Sequence, residues 1–430
     1  MNLLRAFWST ILMAMSLGAG AQNVPTAWVV NTLGETLSRV DLNSGQVTTN
    51  VLNLGSAPND IIIEGTTAYV VNSTSNNVQV INLETAETIG TIEIYQGLNP
   101  YSIAMDHQEH AYAPNFLTGN VSVLDLESRQ ETTALTTGGA PEGACVYEDK
   151  LFVTDVNYTG SWTYGQGLVH VFSLPGMNPM GAIEVGLNPQ AIKAGPDSRL
   201  HVVCTGDFND ISGRIDIIDP ATLEVVDSIM IGGSPGSLAF NFESVGFLGA
   251  GGWGGEGRVL SYNALTHQVI HGAQNPITVP SAATGVAAMA SGHFLVCCFE
   301  TDQVVELEST GNQIRDFQVG DGPITLGVQE PGTGVLPRPL HDLDLSLSWN
   351  YPEPFNGATT IVFSLLYPQP ALLEIFDVRG SLLDGRSLGI QKAGESRVQV
   401  APPASWGSGV YWYRISGNRQ VAQGTIHYMK

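Results

Sequence analysis

From residue 26 onward the chain alternates apolar and polar positions in short runs, each broken by turn residues. Residues 61–94 show the pattern: IIIEG, then AYVVN, then VQVINL, then ETIGTIEI, separated by Thr, Ser and Asn. A period of two in β-branched stretches, punctuated by Gly, Asn and Asp, predicts strands whose successive side chains point to opposite faces. No stretch after the first 21 residues sustains a helical period. The expectation is an all-β body built from units of four short strands.

The unit recurs. A proline after a glycine-bearing turn returns as GSAPNDI (Pro58), GLNPYSI (Pro100), GGAPEGA (Pro141), GLNPQAI (Pro189), GGSPGSL (Pro235), a degraded copy at Pro280 and DGPITL (Pro323), at spacings of 42, 41, 48, 46, 45 and 43 residues. Independently, LSRVDL, VQVINL, VSVLDL, VHVFSL, IDIIDP, VLSYNA and VVELES also make seven. A four-strand unit of this length repeated seven times predicts a seven-bladed β-propeller, in which radial repetition leaves only short, protected sheet edges. The phase adds a detail. The first unit opens on a second strand, AWVVN, and the repeats end on a first strand, PITLGV at 323–328. The C-terminal strand is therefore expected to complete the blade begun by residues 27–54 and close the ring.

Residues 1–21 read as a signal peptide: Arg5, the apolar FWSTILMAMSLG, then Ala19-Gly20-Ala21 as a small-x-small cleavage site. Residues 22–330 are assigned to the propeller, 331–349 to a Pro- and Gly-bearing linker, and 350–430 to a small C-terminal β-sandwich. No later apolar run is long enough to span a bilayer as a helix, so no transmembrane segment is expected in the mature chain. Net charge supports the division. Residues 338–430 carry 8 basic and 7 acidic groups, whereas the preceding body, without Arg5, carries 8 against 33. A body that acidic repels phosphate backbones and argues against nucleic acid as a partner. The four cysteines, Cys145, Cys204, Cys297 and Cys298, read first as buried free thiols, with a Cys145–Cys204 bridge or a metal site as alternatives. Cys297 and Cys298 alternate, so one is expected to face inward and the other outward.

AWVVN (27–31), AYVVN (68–72), AYAPN (111–115) and LFVTD (151–155), each followed by a VxVxDL-like strand, resemble the YVTN repeat of bacterial propellers over about residues 26–330. That resemblance implies architecture more than function, because its members span surface proteins, ligand binders and a few enzymes. The tail carries NYPEPFNGATTIVFSL (350–365), ALLEIFDVRGSLL (371–383) and SGVYWYRI (408–415) and stops at Lys430. These blocks look like the C-terminal sorting domain of type IX secretion cargo, although Glu353 and Gly357 depart from its YPNPFNP core. The resemblance implies export to the periplasm, then release outside the cell or display on the outer-membrane surface, with the type IX machinery as partner.

Candidate chemistry follows from topology. Loops before each first strand and between second and third strands share one face of a propeller. There, blades four, five and six raise long loops, VNYTGSWTYGQG (156–167), TGDFNDISG (205–213) and GAGGWGGEG (249–257). Tyr158, Trp162, Tyr164, Phe208 and Trp253, with Asp207 and Asp210 among them, suit a sugar, a cationic group or a partner protein, unless the loops merely pack together. Residues following the repeat prolines, Asn59, Asp60, Tyr101, Ser102, Glu142, Gln190 and Ser237, are expected to ring the channel mouth, or only to cap turns. His107 and His110 of DHQEH fall in a turn of the opposite face and lack the helix of a zinc motif. Asp207-Phe208-Asn209-Asp210 lacks the spacing of a calcium loop, so no cofactor is predicted, and calcium in a loop or the channel is the alternative. No residue is assigned as catalytic or as a metal ligand. The sequence favours a non-catalytic module binding a small molecule, glycan or surface protein. A lactonase-like, metal-dependent propeller hydrolase and a structural or adhesion protein are the alternatives.

Overall fold

The computed structural model describes residues 24–106, 110–161, 163–241, 243–329, 345–365, 369–377, 382–391, 394–403, 406–416 and 421–430. The expected signal peptide, Trp162 and His107 lie outside them.

Seven antiparallel sheets follow one another along the chain, as expected of a seven-bladed propeller. In blade two the strands are Pro58–Glu64, Thr67–Asn72, Asn77–Asn82 and Glu87–Glu93, paired in sequence order. Two blades depart from this regularity. Blade four inserts a small hairpin, Tyr158–Gly160 with Thr163–Tyr164, between its second and third strands. In blade six two segments, Val269–His271 and Ile277–Val279, share the outer edge. The ring closes as the repeat phase requires: Pro323–Gln329 pairs antiparallel with Thr26–Asn31, placing Leu326 opposite Val29. The Trp28 indole reinforces this seam by donating to Gln329 at 3.1 Å.

The period of two explains the packing. Both faces of every blade are covered by a neighbour, so alternate residues of one strand enter two different cores. Ala27 and Val29 pack with Leu295, Cys297 and Val304 of blade seven, while Trp28 and Val30 pack with Ile61, Ala68 and Val70 of blade two. The same alternation corrects the reading of the paired cysteines. Cys297 enters the core with blade one and Cys298 the core with blade six, so both are fully buried and neither faces outward. All four cysteines are buried free thiols; Cys145 and Cys204 share one interblade core without a bridge.

A hydroxyl just after the second strand latches blades one, two and five to the next. Thr32 donates to the Pro58 carbonyl, Ser73 to that of Pro100 and Thr205 to that of Pro235. The repeat glycines have a steric cause. A Cβ on Gly97 would lie 2.0 Å from the Asn115 amide, and one on Gly139 2.0 Å from the Asp155 carboxylate. Those Asn and Asp residues end the second strands, and Asn115 reaches across to the third strand, donating to Asn120 and Ser122 at 2.9 Å.

The C-terminal strands form two sheets around one core, a sandwich. Leu345–Tyr351, Thr359–Leu365 and Gly394–Val400 make one; Leu382–Gln391, Gln369–Phe376, Gly409–Ser416 and Val421–Tyr428 make the other. Ile361 and Phe363 from the first meet Leu373, Tyr413 and Ile426 from the second. Phe355 of YPEPFNG is buried in this core, its backbone bonded to His427 and Met429. The first strand begins at Leu345, within the stretch expected to be linker, because LSLSWNY alternates like the other strands. No helix among the described residues is long and apolar enough to cross a membrane.

Candidate functional site

The residues after the repeat prolines divide into those the ring uses and those it leaves. Asn59 donates to the Tyr101 carbonyl at 3.0 Å, Ser102 to the Glu142 carbonyl and Ser237 to the Thr284 carbonyl, each bridging adjacent innermost strands. Asp60 is also committed: its oxygens accept the amides of Ile61 (2.9 Å) and Ile103 (3.0 Å). Burial raises the Asp60 pKa, opposed by the charge of Lys193 on the first strand of blade five. Gln190 is half-buried beside Gly236.

Glu142 differs. Its side chain is buried at 5% exposure, and Oε2 has no hydrogen-bond partner. Burial, and then the charge of Asp155, push its pKa up to about 8, so the carboxyl is a protonated donor at neutral pH. Asp155 occupies the position that Asn31, Asn72 and Asn115 hold in blades one to three. Burial works to raise Asp155. His170 at 3.1 Å and the amides of Ala140 and Asn157 outweigh it and hold this carboxyl below its ordinary range. One Asn-to-Asp exchange in the repeat thus places an ionised carboxylate beside a neutral one, and the two environments drive their pKa values apart.

Asn188, just before the repeat proline of blade five, is fully buried; neither of its amide atoms has a partner within ordinary hydrogen-bond geometry, and the Tyr164 phenol is the polar group that acts on it. Asn31, Asn72 and Asn115 leave only the oxygen unpaired. Unpaired buried polar groups are costly, so two in one sector mark a place built to receive something polar.

Above them runs an arc of aromatic rings crossing blades three to five. Tyr101 and Phe116 have centroids 6.3 Å apart, Phe116 and Tyr158 5.9 Å, Tyr158 and Tyr164 5.6 Å, and Tyr164 and Phe208 6.5 Å. Tyr158 and Phe208 remain 37% and 54% exposed, so the loops touch without sealing the arc. Glu142 acts electrostatically on both Tyr101 and Tyr164. Glu142 is the chief cause of the raised Tyr101 pKa, and burial the chief cause for Tyr164, so both phenols stay protonated.

Among the residues expected to bind, the structure brings together Tyr101, Glu142, Tyr158, Tyr164 and Phe208. Trp253 stands outside the arc: it packs edge-on against Phe299 at 5.3 Å, in a loop tied to blade seven where Gly254 donates to Glu300. Asp207 is turned to its own loop, accepting the amides of Asn209 (3.0 Å) and Ile211 (2.8 Å), and Asp210 is exposed. Trp162 is not among the described residues. Sequence reasoning missed Phe116 and Asn188. The repeat could have flagged both, since Phe116 directly follows AYAPN and Asn188 occupies the place of Asn99 in the other GLNP turn.

No protein-family model matches the chain, and no curated protein matches it in sequence. Solved structures do resemble it in fold. A protein from Bacteroides fragilis, provisionally assigned as a 6-phosphogluconolactonase, aligns at a TM-score of 0.58 with 13% identity, covering 73% of this chain and 99% of its own. Another so assigned, from Bacteroides uniformis, aligns at 0.55 with 13% identity over 72% of this chain and 100% of its own. Hydrazine synthase of Kuenenia stuttgartiensis aligns at 0.54 with 14% identity over 65% and 94%. At such identities the likeness establishes the β-propeller fold and nothing finer.

Proposed function

We propose that the propeller is a non-catalytic binding module whose mouth, between blades three and five, takes a neutral polyhydroxylated ligand such as a glycan. The observation that carries this reading is the pair of buried, unpaired groups, Glu142 Oε2 and the Asn188 amide, beneath an exposed aromatic arc. A protonated carboxyl, an amide and two protonated phenols supply donors and acceptors without net charge, and aromatic faces pack against the apolar face of a sugar ring. A cationic ligand would instead need Glu142 ionised, against the burial that opposes ionisation.

Binding to a glycan array by the wild type, a Tyr158→Ala/Phe208→Ala variant and Trp253→Ala tests the site. The double variant should lose at least tenfold in affinity, with Trp253→Ala unchanged. A double variant that binds everything the wild type binds sinks the proposal. Affinity for a neutral ligand should fall as pH rises through about 8, where Glu142 ionises; a rise would point to a cation.

The reading includes export. Residues 1–21 direct the chain to the periplasm, and the C-terminal sandwich serves as a type IX sorting domain, placing the propeller outside the cell or on its surface. The three ordered sequence blocks support this, as does the burial of Phe355, the aromatic of YPEPFNG, in the sandwich core. A reporter carrying the signal segment and residues 345–430 should appear outside a type IX-competent bacterium; confinement to the periplasm would refute the assignment. The metal-dependent hydrolase alternative finds less support. Among the described residues, no group of three or more His, Cys or carboxylate ligands gathers around Asp60 and Glu142.

A further inference from the structure

The turns between first and second strands, and between third and fourth, lie on the face opposite the mouth. There blades five and six bring three side chains together. Asp197 sits in the turn before the strand Leu200–Cys204, His201 on that strand, and His267 in the turn between the third and fourth strands of blade six. Asp197 Oδ1 lies 3.0 Å from His201 Nε2, and Asp197 Oδ2 lies 3.3 Å from His267 Nε2. Among the described residues this is the one group of three such side chains whose ligand atoms all fall within 4.8 Å of one another.

His267 faces a carboxylate at each nitrogen: Asp197 at Nε2 and Asp227 Oδ2, 2.6 Å away, at Nδ1. A neutral imidazole has one N–H, so one of those nitrogens would direct a lone pair at a carboxylate. His201 is fully buried and faces one carboxylate, at Nε2. Its Nδ1 lies 2.9 Å from the Tyr262 hydroxyl, which can accept as readily as donate. With protons on both Nδ1 atoms, two Nε2 lone pairs and a carboxylate converge on one point.

We propose that Asp197, His201 and His267 form a zinc site that ties blade five to blade six, with Asp227 and Tyr262 orienting the two imidazoles. Zinc binds histidine nitrogen and carboxylate oxygen at about 2.0–2.2 Å, which in a tetrahedron separates ligand atoms by roughly 3.3 Å. The observed 3.0 and 3.3 Å from Asp197 to the two imidazoles are near that separation, and all three ligand atoms lie within 4.8 Å of one another. Two imidazoles select zinc over calcium or magnesium, which prefer oxygen alone. A carboxylate on the far nitrogen of a metal-binding histidine, as Asp227 stands to His267, fixes the tautomer and raises ligand basicity. His201 is held between Phe240, edge-on at 5.0 Å, and Tyr262, stacked at 5.8 Å, so its ring is positioned in advance. Arg199 acts on both His201 and Asp227 and is the opposing cation; the two carboxylates outnumber it. Three protein ligands leave a fourth position for water, the pattern of an open site.

The test is calorimetric titration of the full chain, stripped with a chelator, with zinc chloride at pH 7.5. One equivalent should bind, and the melting temperature should rise with zinc. Asp227→Asn, which preserves shape, should weaken zinc about 10- to 100-fold, and His267→Gln should abolish the zinc-dependent shift in melting temperature. Calcium should give no shift. Absence of zinc binding by wild type up to millimolar concentration would overturn the proposal. Zinc binding unchanged in both variants, or an equal response to calcium, would overturn it as well.

Discussion

Replacing Glu142 by glutamine keeps the volume of the side chain and removes its titration, which isolates the consequence of burying a carboxyl in the ring. In the folded chain the Glu142 pKa stands at about 8, against an ordinary 4.5. A group whose folded pKa is raised leaves stability intact below its unfolded pKa. Stability then declines across the interval, and the loss is complete once pH passes the folded pKa. One unit is worth about 1.4 kcal/mol, so between pH 5 and pH 9 the wild type should lose roughly 4 kcal/mol that Glu142→Gln retains. Urea unfolding of both proteins at intervals across that range measures the difference, and titrations elsewhere cancel because they are common to both. The variant should match the wild type near pH 5 within about 1 kcal/mol and exceed it increasingly toward pH 9. A difference that stays flat with pH would mean that Glu142 ionises as an ordinary surface acid. Glu142 would then be no neutral donor at the mouth.

Three further expectations concern the ring. Removing Pro323–Gln329 strips one side of Thr26–Asn31 of its ladder, at about 1 kcal/mol per hydrogen bond lost, and exposes an edge strand; a lowered melting temperature and oligomers on gel filtration should follow, whereas an unchanged monomer would contradict the closure. Phe294→Ala removes a ring stacked 3.9 Å from Phe247 between blades six and seven and should cost about 3–5 kcal/mol in urea unfolding. Burial pushes the thiols of Cys145 and Cys298 up to about 11 and 12, so a thiol reagent at pH 8 should label none of the four cysteines until the chain is unfolded, and then all four; two labelled thiols would indicate a bridge.

What could be known from the sequence is whatever repeats. The strand period is a local pattern copied seven times, which gives the blade number and, through its phase, the seam at Pro323–Gln329; a copied pattern is legible because its regularity averages out each unit's irregularities. The sandwich was legible from its short strand-like segments, apart from the strand at Leu345, which lies within the stretch assigned to the Pro- and Gly-bearing linker. Tertiary structure decided how the polar residues are used. Asp60 and Glu142 occupy nearly equivalent places after their prolines, yet Asp60 finds two amides and Glu142 is left with an unpaired oxygen. The loops of blades four and five meet through their aromatic rings, while Trp253 turns to Phe299, a choice set by which loop each ring can reach. Asp197, His201 and His267 span 70 residues and two blades, so only the packing of blade five against blade six places them within reach of one ion. Hydrogen bonding and metal ligation depend on distances of a few ångströms between residues far apart in the chain, and alternation along a strand carries no information about them.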